Sequence, residues 1–585
     1  FAVAGATRTD VGYMQSQGNQ YSGNYAANET DSTNPLLTQF VGTEANKASG
    51  GAVYNSGTFI SEKDIFSSNY AKGAAAQGGA VYNGVEAGNT GKFTLTGDGS
   101  TNFSGNHAEG SALAAGGAVA NAGDLSSESS KFENNYAKSD TKATGGAVSN
   151  SGTYTSQKES YSGNYTTAAD SLGGAVYNDQ TGTLTITGAA SFSGNYAAGT
   201  GTASGSGALG GAFYNAGTLT ATDGNLTFSG NYATGNMAVK GGAFGNASTG
   251  TATLKDVAFS GNYTASSAGN VYGGSVYNEG KITITGAAFE NNYSKTTSDT
   301  GVAYGGAWAN STATGESLSP VSRIIDSSFR NNQAVATSEN AEYGALGGAI
   351  YNRAQGSDTS GHLSILHIIA SGADVEFSGN KAVSAAKSGI GGAIANNNLG
   401  QLDITADNNH SIIFQYNEAD YGGAIANSAA GNTTNNASGE IARLTVNATG
   451  GDIAFTNNSA SQHGGVLFNY ALEDGMTFKA SGDHNLIFSN NTAGSNGGAF
   501  ANQGGTNQTT GVYEQGYILL DVSDKALLNF SGNSAGAEGG AVYNMGKLVI
   551  NTDSAASSAQ IKFAANTAKK GGAIYNTAKA NVSGA

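Results

Sequence analysis

The chain has 585 residues, of which 90 are glycine, 2 are proline and none is cysteine, and its formal net charge is −16. The lack of cysteine excludes disulfides and cysteine-ligated zinc, the acidic balance argues against nucleic acid as a partner, and the scarcity of proline excludes collagen. No run of 18 apolar residues occurs, so the sequence predicts no helix that spans a membrane.

Residues 1–49 are predicted to form an N-terminal cap with a divergent first coil. They contain one weak copy of a later motif, which starts at Tyr21, and an apolar segment around Leu36, Leu37, Phe40 and Val41. A stack of repeats exposes unpaired strand edges at its ends, and a cap would cover one of them.

Two short motifs alternate along residues 50–576, and this alternation is the strongest signal in the sequence. The first motif, Gly-Gly-Ala-apolar-x-Asn, occurs in 16 copies between Gly50 and Gly571, with a period of about 35 residues. The second motif, Phe/Tyr-x-x-Asn, also occurs in 16 copies, from Tyr21 to Phe563. A fixed period of this length indicates a repeat protein in which each unit packs on its neighbours.

Comparison of the copies predicts which side chains point inward. Side chains alternate between the faces of a strand, so the fourth and sixth positions of the first motif share one face and the fifth takes the other. We therefore expect Val81 inward, Tyr82 outward and Asn83 at an inward-facing corner. The predicted apolar and asparagine columns are represented by Val81, Val119 and Val176, and by Asn83, Asn121, Asn150 and Asn178.

A third segment, which precedes most copies of the second motif, alternates with a period of two, as in Thr183-Leu-Thr-Ile-Thr and Lys281-Ile-Thr-Ile-Thr. Each period is thus predicted to contain three short strands and three turns, and stacking of the periods gives an all-β, single-stranded parallel β-helix of about 16 rungs. Asparagine side chains would form ladders between rungs. The predicted interior aromatic column is represented by Phe103, Phe132, Phe192, Phe228 and Phe259.

The sequence offers little that resembles a catalytic or metal site, and neither a catalytic residue nor a cofactor is predicted. A β-helical enzyme that cleaves polysaccharides needs clustered carboxylates. The acidic residues here are dispersed, and Asp403, Asp407 and Asp420 are the nearest approach to a cluster. His362 and His367 are five residues apart, a spacing that matches no recognised metal pair.

Tyrosines at the predicted outward positions are the candidate binding residues. Tyr54 and Tyr82, and likewise Tyr177 and Tyr214, occupy the fifth position in successive copies of the first motif. A second set of tyrosines directly follows the asparagine of the second motif: Tyr70, Tyr136, Tyr165, Tyr196, Tyr232, Tyr263 and Tyr293. Such columns can bind sugars or protein partners, or they can stabilise the stack itself.

The alternating Gly-Gly-Ala-Ile/Val/Leu and Phe-x-x-Asn motifs of residues 50–576 resemble those of the chlamydial polymorphic outer-membrane protein family. The resemblance implies a right-handed β-helix, export by the autotransporter route, display on the bacterial cell surface and adhesive activity. Residues 577–585 are expected to begin a further coil that is cut short. Membrane association is expected only through a C-terminal anchor that the sequence does not contain.

We therefore expect a non-enzymatic, extracellular passenger that presents loops for attachment to a protein or glycan receptor. The alternative is a structural subunit that joins copies of itself head to tail into a fibre, because an open heterologous contact propagates. A glycan-cleaving enzyme is the least favoured interpretation.

Overall fold

The computed structural model describes residues 12–27, 47–86, 88–96, 101–203, 206–312, 320–340, 344–354, 363–428, 442–470, 475–503, 505–506, 513–514, 516–552 and 558–577. These residues contain no helix, and therefore none that could cross a bilayer. The chain divides into a first unit, residues 1–237 with 243–253, and a second unit, residues 238–242 with 254–585. The predicted cap residues Leu36, Leu37, Phe40 and Val41, and residues 578–585, lie outside the described residues.

Each unit is built from coils that contribute one strand to each of three parallel sheets and one or two strands to a fourth. We number the sheets in the order in which a coil visits them. In one coil of the first unit, these strands are Val81–Asn83 in sheet 1, Lys92–Thr96 in sheet 2, Asn102–Ser104 in sheet 3 and His107–Ala115 in sheet 4. The chain is therefore an all-β parallel β-helix, as predicted.

The strands of the first unit fall into the four sheets as follows. Sheet 1 contains Val53–Asn55, Val81–Asn83, Val119–Asn121, Val148–Asn150, Val176–Asn178, Phe213–Asn215 and Phe244–Asn246. Sheet 2 contains Tyr13–Gln17, Thr58–Glu62, Lys92–Thr96, Asp124–Glu128, Thr153–Gln157, Thr183–Thr187 and Thr218–Asp223. Sheet 3 contains Gln20–Ser22, Ile65–Ser67, Asn102–Ser104, Lys131–Glu133, Ser160–Ser162, Ala190–Ser193 and Leu226–Ser229. Sheet 4 contains Tyr25–Ala27, Lys47–Ser49, Tyr70–Gln77, His107–Ala115, Tyr136–Ser139, Lys142–Thr144, Tyr165–Ala168, Asp170–Leu172, Tyr196–Gly199, Gly207–Leu209 and Tyr232–Gly235.

The second unit repeats the arrangement. Sheet 1 contains Val276–Asn278, Trp308–Thr312, Ile350–Ala354, Ile394–Asn397, Ile425–Ser428, Leu467–Tyr470, Phe500–Asn502, Val542–Asn544 and Ile574–Asn576. Sheet 2 contains Lys281–Thr285, Val321–Ile325, Ser364–Ala370, Gly400–Ala406, Arg443–Ala448, Met476–Ala480, Tyr517–Val522 and Lys547–Thr552. Sheet 3 contains Val257–Ser260, Ala288–Glu290, Ser328–Arg330, Val375–Ser378, Ile412–Gln415, Ile453–Thr456, Leu486–Ser489, Leu527–Ser531 and Gln560–Ala564. Sheet 4 contains Ala238–Lys240, Tyr263–Ser266, Val271–Tyr272, Tyr293–Thr296, Ala303–Tyr304, Gln333–Ala336, Ala345–Leu346, Lys381–Ser384, Gly389–Ile390, Glu418–Tyr421, Ser459–His463, Thr492–Ala493 and Ser534–Ala535.

Five further strands complete the set. Thr251–Lys255 belongs partly to each unit, and two short antiparallel hairpins pair Val85–Glu86 with Asn89–Thr90 and Gly505–Thr506 with Tyr513–Glu514.

Successive coils pair in the register that the motifs predict. Val81 pairs with Val119 and Val119 with Val148, and the motif asparagines pair in the same way. Phe103 pairs with Phe132, and Phe132 pairs with Tyr161. Equivalent residues of consecutive coils therefore lie directly over one another.

The prediction of three strands per coil was wrong, because sheet 4 adds at least one more. His107–Ala115 forms a strand although five of its nine residues are alanine or glycine, which have low propensity for strands. Parallel pairing stabilises it, with Tyr136–Ser139 on one side and, across a register shift between Gly110 and Leu113, with Tyr70–Gln77 on the other. Tertiary pairing thus overrides a weak local preference.

The interior of each unit consists of columns of identical or similar residues. In the first unit the Phe103 and Phe132 rings stack at a centroid distance of 4.9 Å, with 5° between their planes. Each such side chain, removed from water, stabilises the fold by roughly 1.5–3 kcal/mol. The residues predicted for the interior are buried in their respective units: Phe103, Phe132, Phe192, Phe228, Phe259, Val81, Val119, Val176, Asn83, Asn121, Asn150 and Asn178.

Two asparagine ladders satisfy the backbone at two corners of the coil. In the ladder of the first motif, Asn83 Nδ2 donates to Asn121 Oδ1 over 2.7 Å, and Asn121 Nδ2 donates to Asn150 Oδ1 over 2.7 Å. In the ladder of the second motif, the backbone N–H and the Nδ2 of Asn106 both donate to Asn135 Oδ1 over 3.0 Å. Asparagine is required because it donates and accepts at once.

The first unit buries the carboxyl groups of Asp64 and Glu159. Glu159 is 2% exposed, and its Oε2 accepts hydrogen bonds from the Tyr154 hydroxyl over 2.8 Å, the Tyr161 hydroxyl over 3.0 Å and the Ser156 hydroxyl. Burial raises the pKa of Glu159 to about 7, while the hydroxyl donors limit the rise. In the other coils this position, two residues before the Phe, is mostly apolar, as at Leu226 and Ile412.

We expect this group to make the first unit less stable as the pH rises. Because the folded pKa of about 7 exceeds the ordinary value of 4.5, its contribution is fully present below pH 4.5 and is lost as the pH rises to 7. A shift of this size corresponds to about 3 kcal/mol. Urea denaturation at pH 4.5 and pH 8 measures it. Glu159→Gln should remove most of the difference in free energy of unfolding between the two pH values, whereas the exposed control Glu128→Gln should keep it. An equal pH dependence of stability in the two variants would contradict the assignment to Glu159.

Candidate interaction surface

An outward-facing column of aromatic rings runs along sheet 4 of the first unit. Each ring follows a ladder asparagine that points inward, so alternation places the ring outside. Neighbouring ring centroids are 4.0 to 5.0 Å apart. We call this set the tyrosine column: Tyr25, Tyr70, His107, Tyr136, Tyr165, Tyr196 and Tyr232.

The stacking determines what the tyrosine column presents to solvent. The Tyr165 and Tyr196 ring planes differ by 2°, so the ring faces cover one another. The rings are half-buried, which leaves edges and hydroxyls outside. Burial raises the pKa of Tyr196 to about 12, so its hydroxyl stays protonated at neutral pH. The surface is therefore a regular row of aromatic edges and neutral hydroxyl groups.

Charged side chains lie beside the tyrosine column on the same sheet. Glu109 pairs in register with Lys72 on one side and Lys138 on the other, which places alternating charges along the sheet. The Tyr136 hydroxyl donates to Glu109 Oε1 over 3.2 Å. A groove of about 230 Å³ opens here, lined by these three charged residues with Asp140, Ser111, Ser139, Gly73 and Gly110. The column and the groove form one amphipathic surface.

The tyrosines at the fifth position of the first motif have unequal exposure. Tyr54 is 52% exposed, and its ring centroid lies 5.1 Å from that of Tyr82, which is half-buried. Tyr177 is only 8% exposed, so its prediction as an exposed residue was wrong. Its ring stacks on half-buried Tyr214 at 5.8 Å, its hydroxyl donates to Asp179 Oδ1 over 3.0 Å, and Lys142 Nζ lies 5.7 Å from the ring centroid.

In the second unit the fifth position is buried in every described copy of the first motif except the last, where Tyr575 is partly buried. Tyr277 and Tyr351 are each 1% exposed, because residues that precede the glycine pair of the first motif pack against them. We call this set the outer cluster: Tyr277, Tyr304, Ala309, Leu346, Tyr351, Ile390, Ala395, Ala426, Phe468, Ala501 and Tyr543, with partly buried Tyr272, Val302, Tyr421, Tyr470, Met545 and Tyr575. Bulky residues directly before several of the glycine pairs, such as Tyr272, Tyr304 and Leu346, were a signal in the sequence from which this cluster could have been predicted.

The structure places the three candidate carboxylates in different parts of the coil. Asp403 lies on a strand of sheet 2, where His367 Nδ1 is 3.7 Å from its Oδ2. Asp407 caps the following turn through the Asn408 N–H, and Asp420, on sheet 4, accepts from the Gly389 N–H over 2.8 Å. His362 is outside the described residues. No three His, Asp or Glu side chains of the described residues are grouped closely enough to hold a metal ion.

Comparison with known proteins identifies the repeat. A model of the Chlamydia polymorphic membrane protein (Chlamydia_PMP) repeat matches residues 485–503 and 528–545. Each segment runs from a phenylalanine strand of sheet 3, Leu486–Ser489 or Leu527–Ser531, into the next strand of sheet 1. No curated protein and no solved structure matches the chain. These two segments of the second unit therefore carry the Chlamydia polymorphic membrane protein repeat.

Proposed function

We propose that the chain is the surface-displayed passenger of an exported bacterial outer-membrane protein and acts as an adhesin. The match to the Chlamydia polymorphic membrane protein repeat supports display at the outer membrane or cell surface. The tyrosine column of the first unit is the attachment surface, and its regular exposed edges are the observation that carries the adhesive role. Aromatic side chains provide large contact areas at low entropic cost, and tyrosine is enriched among residues that dominate binding.

The second unit shows that the fold does not require tyrosine at this position. There the equivalent residue changes from Tyr293 to Gln333 and then to Lys381 and Glu418, all in unbroken register. Polar residues thus occupy the same place on the coil without interrupting sheet 4. The fold therefore does not need the aromatic rings of the first unit at this position. Glutamine should be compatible with the coil, because Gln333 occupies the same position in the second unit.

Beads coated with the protein are expected to adhere to eukaryotic cells through the tyrosine column. The triple variant Tyr136→Gln, Tyr165→Gln and Tyr196→Gln should reduce the number of bound beads at least tenfold, because it removes three adjacent rings from the row. Bead counting by microscopy measures the effect, and circular dichroism checks that the variant is folded.

The matched control substitutes three outward residues on sheet 2, which also lie in register with one another: Thr155→Gln, Thr185→Gln and Thr220→Gln. This variant should adhere like the unmodified protein. Equal adhesion of the tyrosine variant and the control would eliminate the tyrosine column as the attachment surface. Electron microscopy of the same sample distinguishes display of single molecules from end-to-end fibres, which would show a regular axial repeat.

A further inference from the structure

Two opposite charges lie beside the centre of the tyrosine column in the first unit. Glu109 and Lys138 occupy equivalent positions in neighbouring coils, and each follows a ring of the column, His107 or Tyr136, by two residues. Alternation along the strand therefore places them on the same outward face as the rings. Lys138 is exposed and Glu109 is half-buried. The Tyr136 hydroxyl donates to Glu109 Oε1 over 3.2 Å, which keeps the carboxylate next to the column.

These two charges do not balance one another within the chain. In the part of the first unit that the structure describes, no ion pair joins Glu109 to Lys138. The second unit shows the alternative, because Arg330 on sheet 3 lies 3.4 Å from Glu290 Oε1 and 2.6 Å from Glu376 Oε2, in the coils on either side. The groove of about 230 Å³ that Glu109 and Lys138 help to line is open to a partner, which can supply the missing counter-charges.

The rings of the column are complementary to a second copy of themselves. The centroids of His107, Tyr136 and Tyr165 follow one another at 4.7 and 5.0 Å, and a second copy repeats with the same spacing. Burial and the neighbouring Glu109 raise the pKa of Tyr136, so its hydroxyl is protonated at neutral pH. A tyrosine hydroxyl both donates and accepts a hydrogen bond, and aromatic edges pack favourably on one another. Two identical columns can therefore interlock along their length.

The order of the charges selects an antiparallel arrangement of two such columns. A two-fold axis that runs along the strands and passes between the coils of Glu109 and Lys138 places the two first units face to face, in opposite directions. Glu109 of each copy then faces Lys138 of the other, so the same contact occurs twice, as in any two-fold interface. A parallel arrangement in register would place Glu109 opposite Glu109, and this repulsion disfavours it.

We propose that the first units of two copies of the chain bind each other in this antiparallel arrangement, with the tyrosine columns in contact and two reciprocal ion pairs between Glu109 and Lys138. Ion pairs at a surface each contribute little, so a single pair of molecules associates weakly. Many copies displayed side by side on a surface strengthen the contact through multivalency. The inference goes beyond the proposed attachment to cells, because the partner is the chain itself.

Clumping of protein-coated beads in the absence of cells tests the proposal, with light microscopy as the measurement. Beads that carry the unmodified chain should clump. Glu109→Lys and Lys138→Glu should each reduce the clumped fraction at least tenfold, because like charges then face each other at both contacts. The variant that combines both substitutions has the charges in exchanged order and should clump like the unmodified chain. A mixture of beads that carry the two single variants should clump as well, since their charges are opposite.

The matched control exchanges two opposite charges on another face of the first unit. Lys92 and Asp124 are exposed and pair in register in neighbouring coils of sheet 2. Lys92→Glu and Asp124→Lys should each clump like the unmodified chain, and circular dichroism checks that all variants are folded.

Each remaining outcome counts against the proposal. Absence of clumping by the unmodified chain, undiminished clumping by the single variants, or failure of the combined variant to restore clumping overturns the antiparallel contact. Undiminished clumping by the triple variant Tyr136→Gln, Tyr165→Gln and Tyr196→Gln removes the tyrosine column from the interface and also overturns the proposal. Because no cells are involved, failure here leaves the adhesion experiment unaffected, and failure of adhesion leaves this contact unaffected.

Discussion

Replacement of Gly117 by alanine is expected to lower the free energy of unfolding by more than about 4 kcal/mol, the range reached by severe backbone and packing defects. A Cβ atom at Gly117 would lie 2.1 Å from the Gly146 carbonyl oxygen and 2.4 Å from the Tyr136 carbonyl oxygen. Both belong to backbone that is fixed by bonds between coils, such as the one from the Gly117 N–H to the Gly145 carbonyl over 3.1 Å. The coils would have to move apart.

Gly105→Asn is the matched control for this prediction. Gly105 has a φ of +62°, but a Cβ there would come no closer than 3.9 Å to any atom. The equivalent residue of the next coil is Asn134, which has a φ of 54°. Asparagine tolerates this left-handed conformation, so the variant should lose at most about 1 kcal/mol. Urea denaturation measures the free energy of unfolding of both variants. Similar losses of stability would show that the close approach of neighbouring coils is not the reason for glycine at the second position of the first motif.

The register of the coil could be predicted from the sequence because each constrained position recurs. Phe103 and Asn83 are recognisable through comparison with the other copies in the same chain, and the structure stacks them as the motifs indicate. Alternation along a strand then settles the orientation of the residues between them. The copies of the repeat within one chain can thus be compared with one another, and the positions that stay constant predict the interior residues.

Sheet 4 and the exposure of the tyrosines could not be predicted in the same way. The strand His107–Ala115 has no regular alternation of apolar and polar residues, so only pairing with its neighbours identifies it. Tyr177 and Tyr277 occupy the same motif position as Tyr54, yet Tyr54 is exposed and the other two are buried. Their burial depends on Lys142 and Tyr272, which lie on short strands of sheet 4 whose sequence differs from coil to coil. Position in the motif therefore fixes the face of the sheet but not what covers it.

The buried carboxyl group of Glu159 was also missed. Glu159 is an acidic residue at a position that is apolar in most coils, a signal that comparison of the copies could have revealed.

Replacement of Asn135 by alanine should cost about 4 kcal/mol, because it breaks the ladder of the second motif. Asn135 Oδ1 accepts from the N–H and the Nδ2 of Asn106, while Asn135 Nδ2 donates to the Phe103 carbonyl over 2.9 Å and to Asn164 Oδ1 over 3.0 Å. Alanine would leave these buried partners without their hydrogen bonds, at about 1–3 kcal/mol for each group that stays unsatisfied. Urea denaturation measures the loss.

Asn135→Asp separates the two functions of the amide. Aspartate keeps an oxygen that accepts from Asn106, but it loses the donor to Phe103 and places a buried negative charge beside Asn164 Oδ1, so its loss should equal or exceed that of alanine at pH 7. Lys131→Ala, at an exposed position on the neighbouring strand, should change stability by at most about 0.5 kcal/mol. If aspartate were tolerated like the lysine control, the ladder would need only an acceptor, and asparagine would not be required for stacking.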